Sequence, residues 1–180
     1  CQVDYTNLTQ GEPRLVIPFF DENNKLIGAQ GRALRDSKVR YVTVKVHENS
    51  KKVFGLERWT NKEPTYLVEG PIDSLFLPNS LAMAGADMSD LSFLNKINTT
   101  IIFDNEPRND HISKRMVDAL EKGWRIVVWQ DQGNKWDSRA PKDINDMVIS
   151  GKTTDEILKI INKNTYSGQR GKWEVTYWKV

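Results

Sequence analysis

Cysteine is nearly missing from this sequence: its 180 residues hold one, Cys1. A single thiol excludes an internal disulfide framework and any closed cysteine-based zinc site within the chain, and it suits a reducing compartment, the cytoplasm. Histidine is as scarce, with only His47 and His111, which lack metal-ligand spacing. No apolar run approaches the roughly 20 residues that cross a bilayer, which sets membrane insertion aside. Neither Gly-x-x-x-x-Gly-Lys-Ser/Thr nor Gly-x-Gly-x-x-Gly occurs, which excludes a P-loop ATPase. There is no initiator Met and no basic-then-apolar leader, so the chain reads as a piece of a longer protein with something ahead of Cys1.

What is present describes an ordinary globular protein, 38% hydrophobic and 28% charged, long enough for one core with a smaller subdomain beside it. The net charge of +2 hides an asymmetry. Residues 14–62 carry eleven Lys or Arg against five Asp or Glu, whereas residues 63–150 carry nine against fourteen. A basic block adjoins an acidic one, and solvated surface charge alone produces such a split less readily than a polyanion-binding site does.

The run Arg14 to Phe20 is apolar and β-branched, ends in the turn-forming cluster Asp21 to Lys25, and resumes at Leu26 to Gln30, which predicts a hairpin. Between Arg40 and Val46 valines fall at every second position, as in a strand with two distinct faces. From Thr65 the pattern changes to strands alternating with helices, the mark of a parallel sheet. Strands are expected at Thr65 to Glu69, Leu81 to Ala84, Thr99 to Phe103 and Trp124 to Trp129. Helices are expected from Pro71 to about Leu77, from Asp87 to Ile97 under a cap by Asp87 or Ser89, after Asn109 or Asp110, and after the capping box that starts at Thr153. Trp173 to Val180 reads as extended. The fold class is therefore α/β: residues 1–62 form a basic, strand-rich subdomain, residues 63–165 a parallel sheet of about four strands flanked by helices, and residues 166–180 a C-terminal extension.

Three acidic runs follow strand ends: Glu69-Gly70-Pro71-Ile72-Asp73, Asp104-Asn105-Glu106 and Asp143-Ile144-Asn145-Asp146. Parallel strands present their carboxyl ends on one edge, so Glu69, Asp104, Glu106 and Asp143 can converge although separated by up to 74 positions. Converging carboxylates repel one another unless a cation sits among them, and Mg²⁺ suits oxygen donors. Taken singly, each acid serves equally well as the cap of the next helix.

These runs, in this order and strand context, resemble the topoisomerase-primase (Toprim) domain of DnaG-type and phage primases, and their wording resembles in particular the primases of T-even phages. The preceding segments Val16 to Asp21, Ile27 to Leu34 and Val53 to Leu56 resemble the basic subdomain that precedes Toprim in those enzymes. The resemblance covers about residues 14 to 150. One departure is that the usual Asp-x-Asp pair is here Asp104-Asn105-Glu106. The resemblance implies template-directed synthesis of RNA primers on single-stranded DNA from ribonucleoside triphosphates, a pair of Mg²⁺ or Mn²⁺ ions as cofactor, and a replicative helicase as partner. It implies a place near the reacting centre for Glu69, as metal ligand or general base. Metal coordination is implied for Asp104, Glu106 and Asp143, with Asp73 and Asp146 as second choices.

For the basic face, the resemblance points to Arg32, Arg40 and one of Lys51 or Lys52 at incoming nucleotide or template, and Arg108 is a further candidate for a phosphate. Trp59, Trp136, Trp173 and Trp178 are available to stack bases but more often serve packing. The family's start-site recognition uses a zinc-binding module. With no zinc site possible in this fragment, that module is expected upstream of Cys1, and the piece alone is expected to prime poorly or without site selectivity. Two other readings stand beside this one: a Toprim nuclease or topoisomerase fragment that uses the same acids on a phosphodiester, against which the basic segment argues, and a non-catalytic module that docks single-stranded DNA or a helicase, its acids being structural.

Overall fold

The hairpin forms as expected, from β1 (Arg14–Phe20) and β2 (Leu26–Ala33). Its turn is closed by Asp21, whose carboxylate accepts from the amides of Asn23 and Lys25, both at 2.9 Å. β3 (Tyr41–Lys45) adds antiparallel to β2, with Gln30 opposite Thr43 and Arg32 opposite Tyr41. Residue 28 must be glycine there, because a Cβ would lie 2.7 Å from the Val44 carbonyl oxygen. The computed structural model describes residues 12–85, 88–130 and 140–179, so Cys1, Asp87 and Trp136 lie outside the described residues.

A second sheet follows, built from β4 (Thr65–Val68), β5 (Ser80–Ala82), β6 (Thr99–Ile102), β7 (Arg125–Val127) and β8 (Thr165–Tyr166), in the order β5-β4-β6-β7-β8. The first four are parallel, as expected. β8 adds an antiparallel edge that the sequence pattern did not foretell. Helices α1 (Pro71–Ser74), α2 (Asp110–Glu121), α3 (Ile144–Ile149), α4 (Thr154–Lys163) and α5 (Gly168–Lys179) accompany it. The sheet's side chains Leu67, Leu81, Ile101 and Ile126 are fully buried and pack with Met116 of α2 and Ile157 and Ile161 of α4.

Chain direction decides where a site can form. After β4 the chain runs through α1 to β5 on one side, whereas β6 pairs on the other side of β4. Connections that part in opposite directions leave a crevice beyond the strands' carboxyl ends. The antiparallel sheet closes over it: the Thr43 hydroxyl of β3 donates to the Ala84 carbonyl at 3.2 Å, and Phe54, in the segment after β3, exchanges two backbone hydrogen bonds with Ala82, both 3.0 Å.

Local expectations met mixed outcomes. Asn109 caps α2 by accepting from the His111 amide, and Thr153 and Glu156 form the full capping box of α4. Three elements need correction. Trp173 to Val180 is not extended: the residues through Lys179 belong to α5, because Gly171, Val175 and Trp178 recur at helical spacing and bury one face. The described part of the helix expected from Asp87 to Ile97, residues 88–97, is not a helix of that kind: it holds a 3-10 turn at Met88–Leu91, after which the Asn95 side chain accepts from the Ile97 amide in a turn that competes with helix. The helix at Pro71 ends at Ser74 and continues only as single turns through Leu77.

Candidate active site

β4 and β6 are neighbours in register, with Val68 opposite Ile102, so the chain beyond each strand emerges at the same edge. Glu69 leaves β4 and Asp104 leaves the segment after β6. Asp73 stands on α1. Asp143 begins α3, where its carboxylate accepts from the Asp146 amide at 2.8 Å. All four line one cleft of about 460 Å³. Its opposite wall comes from the antiparallel sheet and carries Gln30, Arg32, Arg40, Tyr41 and Thr43. The guanidinium carbons of Arg32 and Arg40 lie 5.8 and 5.7 Å from the Tyr41 ring centre, an aromatic flanked by two cations. Gln30 donates to the Thr43 hydroxyl at 3.1 Å, while its own carbonyl oxygen is buried without a partner among the described residues.

Electrostatics follows from this crowding. Burial raises the Asp104 carboxyl to about 7, helped by the charges of Glu69, Asp73 and Asp143 and opposed by Lys142. Burial likewise raises Asp73 to about 6, against the hydrogen bond it accepts from the Asn145 amide at 2.9 Å. Glu106 behaves oppositely. Its hydrogen bond with Lys142 holds it below the usual carboxylate range, and the same contact raises the Lys142 ammonium.

Asp73 and Asp104, raised by burial and by neighbouring negative charge, stand with Glu69 and Asp143 as oxygen donors whose chemistry fits a hard divalent cation. Among the described residues no set of three acidic, imidazole or thiol groups is gathered in an ion-holding arrangement. The acids are instead engaged individually: Glu69 with Arg115, Glu106 with Lys142 at 2.5 Å and Asn109 at 2.7 Å, Asp73 and Asp143 with backbone amides.

The other expected residues fall as follows. Glu106 and Asp146 do not line the cleft; the Asp146 carboxylate accepts from the Lys142 amide at 3.1 Å. Arg108 is exposed and does not line it. Lys51 pairs with Glu22 at 3.1 Å and sits 4.2 Å from the Phe93 ring centre, and neither it nor Lys52 reaches the cleft. Trp59 packs edge-on against Phe93, Trp178 is buried, and Trp173 is 62% exposed. Sequence reasoning missed Arg115, which reaches Glu69 from α2 while stacking 5.2 Å from the Phe103 ring centre. The available signal was a cation beside Ile112 and Met116 on the buried stripe of an otherwise amphipathic helix.

Gly70 is needed for space and not for its backbone angles, which are extended (φ −104°). A Cβ there would lie 2.8 Å from the Asp73 carboxylate. Gly70→Ala is therefore expected to displace Asp73 and lower activity by about tenfold or more, with a stability change within about 1 kcal/mol. Parallel activity and urea-unfolding measurements check this, and a stability loss that matches the activity loss would count against it.

No protein-family model matches the chain. The DNA primase of Enterobacteria phage T4 is 36% identical over 168 residues, which are 92% of this chain and 47% of that protein. The chain thus spans about half the length of the curated relative it matches. Among solved structures, the Aquifex aeolicus primase with its zinc-binding and RNA polymerase domains superposes with a TM-score of 0.62 at 25% identity, over 88% of this chain and 44% of that one. The RNA polymerase domain of Mycobacterium tuberculosis primase DnaG shares the fold, with a TM-score of 0.64 at 18% identity, over 87% of this chain and 56% of that one.

Proposed function

Because the chain belongs to the Toprim-containing DNA primases, we propose that it is the RNA-polymerising core, which joins ribonucleotides on a single-stranded DNA template for phage DNA replication. The observation that carries this reading is the cleft itself, with four carboxylates facing Arg32, Arg40 and Tyr41. In it the basic segment up to residue 62 holds triphosphate and template, and residues 63–165 supply the catalytic acids. Glu69, Asp104, Glu106 and Asp143 would hold the divalent cations, Mg²⁺ or Mn²⁺, with Asp73 and Asp146 as further oxygen donors. Bound there, such ions supply charge neutralisation for the attacking 3′-hydroxyl and the pyrophosphate leaving group. Arg32 and Arg40 pair with phosphates, and the Tyr41 ring between them offers a face for a base or sugar. In the whole protein a replicative helicase is the partner, and the setting is the cytoplasm of a bacterial host; no helix among the described residues is long and apolar enough to cross a membrane.

The test is RNA synthesis on single-stranded DNA with labelled ribonucleotides and Mg²⁺ or Mn²⁺, on this chain and on the longer protein. Metal-dependent, template-dependent oligoribonucleotides are the expected product. Nicking of the DNA without RNA synthesis would favour a Toprim nuclease instead. Arg32→Ala and Arg40→Ala should each weaken DNA or triphosphate binding by about tenfold, and should lower the slope of log affinity against log salt by about one where the lost contact is a DNA phosphate. Unchanged binding in both would return these arginines to ordinary surface charge.

A further inference from the structure

Lys142 stands where positive charge is most wanted. Its ammonium is 2.5 Å from a Glu106 oxygen and 3.7 Å from an Asp104 oxygen, and the residue lines the same cleft as Arg32 and Arg40. The main chain around it is held firmly. The Asn105 amide donates to the Lys142 carbonyl at 2.6 Å, the Asn105 side chain donates to the Pro141 carbonyl at 3.2 Å, and the Lys142 amide donates to Asp146 at 3.1 Å. The loop bearing the lysine is thus tied to the loop bearing Asp104 and Glu106. The side chain is not so constrained: it is 44% exposed and ends in a compact charge on a flexible four-carbon stem.

We propose that Lys142 is the tethered counter-ion of the Asp104–Glu106 pair, displaced by a divalent cation, and that the displaced ammonium then pairs with a phosphate of the bound nucleotide. The inference rests on the nucleotidyl-transfer reading of this cleft. An ammonium and a divalent cation cannot share the same carboxylate oxygens without strong repulsion, so binding of the second requires departure of the first. Because the anchor of the stem is fixed at the cleft wall, the released charge stays within reach of the space between the acids and Arg32. One cation would then do two jobs in turn: it neutralises the acids before the ion arrives and holds substrate afterwards.

The consequence runs against the usual effect of removing a residue from an active site. Lys142→Gln should bind Mn²⁺ more tightly than the unaltered chain in the absence of nucleotide, by about three- to tenfold, because one competing charge is gone. The same variant should bind a non-hydrolysable ribonucleoside triphosphate more weakly, by about tenfold, when Mn²⁺ is saturating. Lys142→Arg, which keeps the charge, should stay near the unaltered chain in Mn²⁺ affinity. Free Mn²⁺ is read directly by electron paramagnetic resonance, with no need for turnover. Equal or weaker Mn²⁺ binding by Lys142→Gln, in a chain that itself binds the ion, overturns this proposal alone. Absence of Mn²⁺ binding by the unaltered chain overturns it together with the nucleotidyl-transfer reading.

Discussion

Asp104→Asn is expected to reduce nucleotide addition by about a thousandfold while making the metal-free protein more stable at pH 8. The substitution keeps the shape and removes a charge from the centre of the cleft, where Glu69, Asp73 and Asp143 face it. The stability gain follows from linkage. In the folded chain Asp104 titrates at about 7, raised by burial and its acidic neighbours from an ordinary value of 3.8. Between those values the folded state holds a proton that the unfolded chain has released. Its contribution is therefore fully present below about pH 4 and lost as pH rises through 7. An amide carries no such liability. Below about pH 4 the acid is protonated in both the folded and the unfolded chain, so the melting temperatures of the two proteins should nearly coincide there, part as pH rises above that value, and differ most, in favour of the Asp104→Asn variant, at pH 8. Adding Mg²⁺ at pH 8 should then stabilise the unaltered chain more than the variant. Comparing the two proteins cancels the opposite trend expected from Glu106, whose carboxyl is held low. A difference in melting temperature independent of pH, or an active variant, would refute the assignment.

Trp178→Ala should cost about 3–5 kcal/mol, the loss expected for a buried large aromatic. The side chain is 2% exposed in α5, and its indole N–H donates to the Asn105 side chain at 3.1 Å. That bond joins the last helix to the loop between Asp104 and Glu106. The loss of activity should therefore exceed what the unfolded fraction explains. Trp178→Phe separates the two effects, since it keeps most of the packing and removes the donor, at a cost of about 1 kcal/mol or slightly more. Urea midpoints together with nucleotide-addition rates measured well below the transition decide the matter. An activity in Trp178→Phe equal to that of the unaltered chain would show that the indole only packs.

Much of this architecture was legible because local signals agreed with tertiary ones. The hairpin at Asp21 to Lys25, the cap at Asn109 and the capping box at Thr153 each combine a polar start or turn with an apolar pattern of one period. Trp173 to Lys179 misled because Trp173, Val175 and Tyr177 alternate like a strand, while Gly171, Val175 and Trp178 also recur like a helix. Packing on α2 decided for the helix, with Gly171 pressed against Leu120. At the site, the order of strands was enough to bring Glu69, Asp104 and Asp143 together. It could not foretell which cations would reach them. Arg115 and Lys142 are long side chains whose partners lie 46 and 36 or 38 positions away, distances over which sequence carries no direct signal of contact. Lys51 and Lys52 failed to reach the cleft for the related reason that a basic residue near a site in sequence is free to pair elsewhere, as Lys51 does with Glu22.

The paired hydrogen bonds between Phe54 and Ala82 have a further consequence at the margin of the parallel sheet. β5 is its outermost strand, three residues long and buried throughout, so an open margin there would offer unpaired amides and carbonyls next to apolar side chains. Exposed margins of that kind recruit strands from other molecules. Phe54 occupies the position with both of its backbone groups, and Arg58, 4.7 Å from its ring centre, covers it with charge. The segment that carries the antiparallel sheet into place thus also guards the parallel sheet against self-association, and damage to it should show first as loss of solubility.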